Sequence, residues 1–176
     1  TMNVKSDFKK SIKFIKKNPE KIYNPKIPKT DEKSRNDAFR KINEAYKRKD
    51  FDEAIEIYKE LLKTDQKNKL LHNNLGYTLL QQKHYSEAIE HFNNAITIDP
   101  KWDFPLNNRG YCKLQLGDLE NSFSDISTAS NMNPFNSYAW RNLGAYHLKI
   151  NEFEKALMHF EEAEKIAPEN PYVVAS

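Results

Sequence analysis

Asparagine and glycine recur in this chain at one fixed interval. Asn74, Asn108 and Asn142 stand 34 residues apart, and Gly76, Gly110 and Gly144 follow each of them two places later. A repeat of this length without insertions makes each unit one small helical or strand module. Stacked neighbours then bury what no single unit can bury alone. The phase sets units at 69–102, 103–136 and 137–170, and a fourth, degenerate unit fits at 35–68.

Within a unit the periodicity is helical. Between Ser86 and Asp99 the apolar residues are Ala88, Ile89, Phe92, Ala95, Ile96 and Ile98, the spacing of a helix buried along one stripe. Each unit therefore reads as two amphipathic helices of about a dozen residues. Short polar turns join them: "QQKHY", "QLGDL" and "KINEF". Pro100, Pro134 and Pro168 close the second helices, because proline lacks the N–H and clashes with the preceding turn. The recurring glycines sit inside first helices, where glycine costs about 1 kcal/mol against alanine. Close packing against small residues of the second helix explains them, Gly76 against Ala88, Gly110 against Ser122 and Gly144 against Ala156.

Composition agrees with an extended helical array. Apolar residues make up 38% of the 176 and charged residues 30%, and three of the four glycines belong to the repeat. Too few glycines remain for a fold rich in tight turns or phosphate-cradling loops. One cysteine, Cys112, precludes an internal disulfide or a cysteine metal cluster, and its small-residue place in a first helix predicts a buried, inert thiol.

The pattern resembles the tetratricopeptide repeat. Trp140, Leu143, Gly144, Ala156, Phe160 and Pro168 match that family's signature, as do Leu75, Gly76, Ala88, Phe92 and Pro100. Unit three keeps Gly110, Ala129 and Pro134 but carries Arg109, Ser122 and Ile126 at signature places. Unit one keeps Ala54 and Tyr58, with Ile42 for glycine and Gln66 for proline. The resemblance covers about residues 35–170. It implies an all-α, right-handed superhelical solenoid of antiparallel helix pairs, whose first helices line a concave groove.

By that resemblance the groove face holds Asn43, Asn74, Tyr77, Phe104, Asn108, Tyr111, Tyr138, Arg141 and Asn142, with Asn73, Asn107 and Gln81 beside them. An amide offers donors and an acceptor together, so the asparagines suit the backbone of an extended peptide, and the aromatic rings add apolar area. The asparagines equally suit bonds within the fold. The resemblance also allows a test for the clamp that grips the C-terminal carboxylate of heat-shock chaperones. Its places hold Phe39, Asn43, Asn74, Phe104 and Asn108, or one unit later Asn73, Tyr77, Asn108, Tyr138 and Asn142. Neither set contains the cations that a held carboxylate needs, and clamp binding is not expected.

Little else carries chemistry. No pair among His72, His84, His91, His147 and His159 has zinc-site spacing with carboxylate company, and no nucleophile elbow, Walker loop or dinucleotide fingerprint occurs. No metal, cofactor or catalysis is expected.

Charge is uneven along the chain. Residues 1–30 hold nine lysines against Asp7 and Glu20, a balance of +7, whereas the rest holds 19 basic and 23 acidic side chains, a balance of −4. Residues 7–17, "DFKKSIKFIKK", form a short amphipathic helix with Phe8, Ile12 and Ile15 on one face, before a proline-containing linker that leads into a repeat domain at 31–176. That helix could cover an end of the repeats, lie on an anionic membrane, or contact nucleic acid. The last reading lacks an aromatic platform or arginine cluster, so no nucleic-acid partner is expected. Glu161, Glu162, Glu164 and Lys165 make the last helix polar, as where no further unit packs. No signal peptide or transmembrane run is seen, which suits a cytoplasmic chain. The sequence thus points to a protein-interaction scaffold that captures a peptide segment of an unidentified partner. The alternatives are a membrane-associated assembly factor acting through the basic helix, and a regulatory repeat domain of a larger protein.

Overall fold

The structure, a computed structural model, describes residues 32–168. The amphipathic helix and linker inferred for residues 1–30 lie outside the described residues. Among those described there are eight α-helices and no strand. They are α1 (Glu32–Arg48), α2 (Phe51–Thr64), α3 (Lys69–Gln81), α4 (Tyr85–Ile98), α5 (Asp103–Leu116), α6 (Leu119–Met132), α7 (Ser137–Lys149) and α8 (Phe153–Ile166). Packing divides the chain into residues 1–40 and 41–176, so α1 begins in the first and ends in the second. In the first, Arg35 lies 5.7 Å from the Phe39 ring centroid and Asp37 pairs with Arg40 at 3.5 Å.

In the second, each helix from α2 onward packs on the next, the all-α solenoid that the repeat implies. Sequence sets the helix ends. Asp50, Asn68, Asp118 and Asn136 are N-caps whose side chains accept from backbone N–H groups of the first turn. Pro100, Pro134 and Pro168 stand two residues past the ends of α4, α6 and α8. The turns between paired helices share a less visible device. Lys49, Lys83, Gly117 and Asn151 all have positive φ, between 60° and 86°, and lie 34 residues apart. Unit one therefore shares the turn geometry of the others despite its divergent residues.

The glycine contacts differ from the expected small-on-small pairing. A Cβ on Gly76 would lie 2.8 Å from the Phe92 ring, and one on Gly144 would lie 2.6 Å from Phe160. The alanines beside them, Ala88 and Ala156, are buried, but the ring one turn later fills the space above the glycine. In unit three Ile126 takes the ring's place, 2.5 Å from a Cβ on Gly110, and the Ser122 hydroxyl donates to the Gly110 carbonyl at 2.8 Å.

Unit three also holds a polar core. Arg109 reaches both carboxylate oxygens of the buried Asp125 at 2.7 Å, and Lys113 reaches the same carboxylate at 2.8 Å. Arg109 donates further to Asn93 of α4 at 2.6 Å. At the far end, α8 is polar as expected over its last turns, yet its first half exposes Phe153, Leu157 and Met158. The equivalent of Leu157 in unit one, Ile55, is buried, whereas the equivalent in unit three, Phe123, is 41% exposed.

Candidate functional site

The first helices α3, α5 and α7 share one open groove of about 510 Å³. They meet there because each packs on its neighbour across one repeat. Six of the nine sequence-predicted residues line it: Tyr77, Asn108, Tyr111, Tyr138, Arg141 and Asn142. Asn43, Asn74 and Phe104 stand outside it. Asn43 is exposed on α1, Phe104 is exposed on the first turn of α5, and Asn74 is half-buried. The groove also takes in Leu80, Lys83, Tyr85 and Ala145, which sequence reasoning left out. Lys83 and Tyr85 come from the α3–α4 turn and the start of α4, and a search confined to first helices passes over them.

The amides are largely engaged within the fold. The Asn142 side chain is buried and donates to the side-chain amide oxygen of Asn107 at 2.9 Å. Asn107, expected on the exposed face, is 1% exposed. Asn108 donates to Asn73 at 3.4 Å, a long contact, and Asn74 bonds the Tyr58 hydroxyl. These bonds run from one repeat to the next. They satisfy amides that burial would otherwise leave unpaired, at a cost of 1–3 kcal/mol in typical cases. Asn74, Asn108 and Asn142 thus serve the stack, whatever else they touch.

Tyr77 and Tyr138, both in the groove lining, are 43% and 45% exposed. Burial pushes the Tyr111 hydroxyl above its ordinary value, with Tyr85 adding to the effect and Arg141 opposing it. At neutral pH the Tyr111 hydroxyl is therefore protonated and able to donate. The Arg141 guanidinium carbon lies 4.9 Å from the Tyr138 ring centroid, a cation–π stack. None of the lining residues carries a carboxylate.

The other candidates are accounted for by packing. Cys112 is buried, and burial pushes its thiol up to about 12, so it is unreactive at neutral pH. His72 and His91 meet through their Nδ1 atoms at 3.1 Å, and His147 stacks on His159 with centroids 5.0 Å apart. No group of three or more potential metal ligands occurs among the described residues. Among them, too, no helix is long and apolar enough to cross a membrane.

Comparison with known families decides the lineage. "Tetratricopeptide repeat" descriptions match residues 70–101 and 108–171, and "TPR repeat" matches 43–83. The chain belongs to the tetratricopeptide repeat family. This repeat protein has no match among curated proteins, but solved structures share its fold. A crystal structure of MamA is 24% identical, with 72% of this chain and 74% of that one covered at a TM-score of 0.62. YrrB, described as a TPR protein with an unusual peptide-binding site, is 20% identical over 78% of this chain and 71% of its own, at 0.63. The first TPR of Spaghetti (RPAP3), bound to the HSP90 peptide SRMEEVD, is 24% identical over 61% and 85%, at 0.55. At such identities the likeness is one of fold. The fold is that of protein-interaction scaffolds.

Proposed function

We propose that this repeat protein is a non-catalytic scaffold that captures an extended segment of a partner protein in the groove on α3, α5 and α7. The observation that supports this most is the wall of Tyr77, Tyr85, Tyr111 and Tyr138 around an open volume of about 510 Å³. Exposed tyrosines give apolar area at small entropic cost and keep a hydroxyl for hydrogen bonding. The engaged amide ladder changes the expected mechanism. Rings, hydroxyls and cations meet the ligand, while the asparagines hold the helices at the spacing that presents them. Peptide-binding neighbours of the same fold, YrrB among them, are consistent with this use.

The test is affinity capture of partners from a lysate by the full chain and by its Tyr77→Ala/Tyr111→Ala/Tyr138→Ala variant. Circular dichroism melts would verify that both are folded. Specific partners retained by the parent and lost by the folded variant are expected. Identical recovery would place the interaction elsewhere on the molecule.

A further inference from the structure

The groove carries a charge signature that the repeat region around it does not share. Its lining contains two cations, Lys83 and Arg141, and no carboxylate. Beyond the first 30 residues the chain is net negative, at −4, so the positive groove is local rather than a reflection of the charge of that region. Arg141 is also where the repeat departs from its own pattern, because the equivalent places in units two and three hold Asn73 and Asn107. Its guanidinium stacks on Tyr138 at 4.9 Å. Stacking engages the face of a guanidinium, whereas its donors lie in the plane and match a carboxylate edge. The second cation comes from the α3–α4 turn, two first helices away in chain order, with Tyr111 of α5 between them. Two cations on different elements suit carboxylates at successive positions of a segment running along the groove.

We propose that the groove selects an internal acidic segment, with aspartate or glutamate side chains spaced along it to meet Arg141 and Lys83 and apolar or aromatic residues between them to meet the tyrosines. This rests on the groove reading above. It makes Arg141 the specificity-determining residue and the rings the source of affinity.

The experiment is selection of random twelve-residue segments, displayed with chain on both sides, against the full-length protein and its Arg141→Gln, Lys83→Gln and triple tyrosine variants. Circular dichroism would again verify folding, and Arg141→Lys would retain the charge without the flat stack. Segments selected by the parent are expected to be several-fold enriched in aspartate and glutamate. A selected segment should bind the parent at least tenfold more tightly than Arg141→Gln, and more weakly as salt rises. Arg141→Lys should fall between the two. Enrichment that is absent, or that survives unchanged in both Arg141→Gln and Lys83→Gln, overturns the charge assignment. If the tyrosine variant then still fails to bind, the groove reading stands without it. Selected segments that bind the tyrosine variant as well as the parent, or no selected segments at all, overturn both.

Discussion

Units two and three are built on the same backbone, yet they fill their shared interior in opposite ways. In unit two Leu75 and Leu79 are buried, Phe92 covers Gly76, and His91 meets His72. At the corresponding places unit three has Arg109, Lys113, Ile126 and Asp125, and three charges meet where the other unit keeps uncharged groups. Unit four returns to the first solution with Leu143, His147, Phe160 and His159. The repeat therefore fixes the volume and the helix spacing but leaves the chemistry of the filling open. A charged filling is held by mutual pairing, so it fails when one member is lost. The leucine and phenylalanine filling fails gradually, by cavity.

The largest difference should come from removing the shared carboxylate. Asp125→Ala leaves Arg109 and Lys113 facing each other with little solvent, and loss of one partner from such a cluster typically costs 3–5 kcal/mol. Partial exposure of both cations, at 19% and 18%, sets the expectation near the lower end, about 3 kcal/mol in urea unfolding. Replacing the set together, as Arg109→Leu/Lys113→Leu/Asp125→His in the manner of unit two, should recover most of it. Equal losses in the single and triple variants would show that the pairing contributes nothing beyond its parts.

The glycines sharpen the same contrast. A methyl on Gly110 meets Ile126 at 2.5 Å, the Asp125 Cβ at 3.1 Å and the Ser122 carbonyl oxygen at 3.1 Å, and backbone cannot swing away. The three atoms nearest a methyl on Gly144 all belong to the ring of Phe160, which is half-buried and can tilt. Gly110→Ala should cost about 2 kcal/mol and Gly144→Ala about 1 kcal/mol or less, the overpacking range less the gain in helix propensity. Thermal melts of the two variants would show the order, and a larger loss at Gly144 would refute it.

How far the sequence reached follows the same division. The repeat phase, the helix pairs, the proline stops and six groove residues were legible because each follows from spacing along one helix or from a family pattern. Three things were not. The use of Asn142 against Asn107, and of Asn108 against Asn73, depends on how far one unit is displaced from the next, and periodicity within a helix does not contain that. The Arg109–Asp125 pair joins residues 16 apart on different helices, so Arg109 stands out in the sequence as a departure from the pattern while its partner does not. Lys83 entered the groove from a turn that had been read only as a connector.

Histidine gives the units with uncharged fillings a sensitivity that unit three lacks. Burial and then His72 hold His91 below the usual imidazole range, with Lys59 adding to the effect and Glu87 opposing it. Burial and then His147 do the same to His159, with Lys155 adding and Glu162 opposing. The folded pKa lies below the unfolded one, so as pH falls below about 6.5 the unfolded chain takes up protons that the folded chain resists. Stability should therefore fall between about pH 7 and 5, and the fall should shrink in His91→Gln and His159→Gln. Melting temperatures across that range would measure it. An undiminished acid loss in the double variant would assign it to other groups.

The smallest expected effect concerns the turns, where unit three has the more comfortable residue. Gly117 sits at φ 86°, and Lys49, Lys83 and Asn151 occupy the same place at φ 60° to 64°. A left-handed conformation costs a residue with a Cβ roughly 1–2 kcal/mol, less for asparagine, and costs glycine little. Glycine in turn gives up more chain entropy on folding, by about 0.5–1 kcal/mol. Lys49 is exposed, outside the groove and without the charge contribution proposed for Lys83, so Lys49→Gly isolates the backbone balance. It should raise stability by about 0.5 kcal/mol, and Gly117→Ala should lower it by about 1 kcal/mol. If Lys49→Gly lowers the melting temperature instead, the entropy of the unfolded chain outweighs strain at these turns. The lysines and asparagine of the other units would then be the stabilising choice, and unit three the exception.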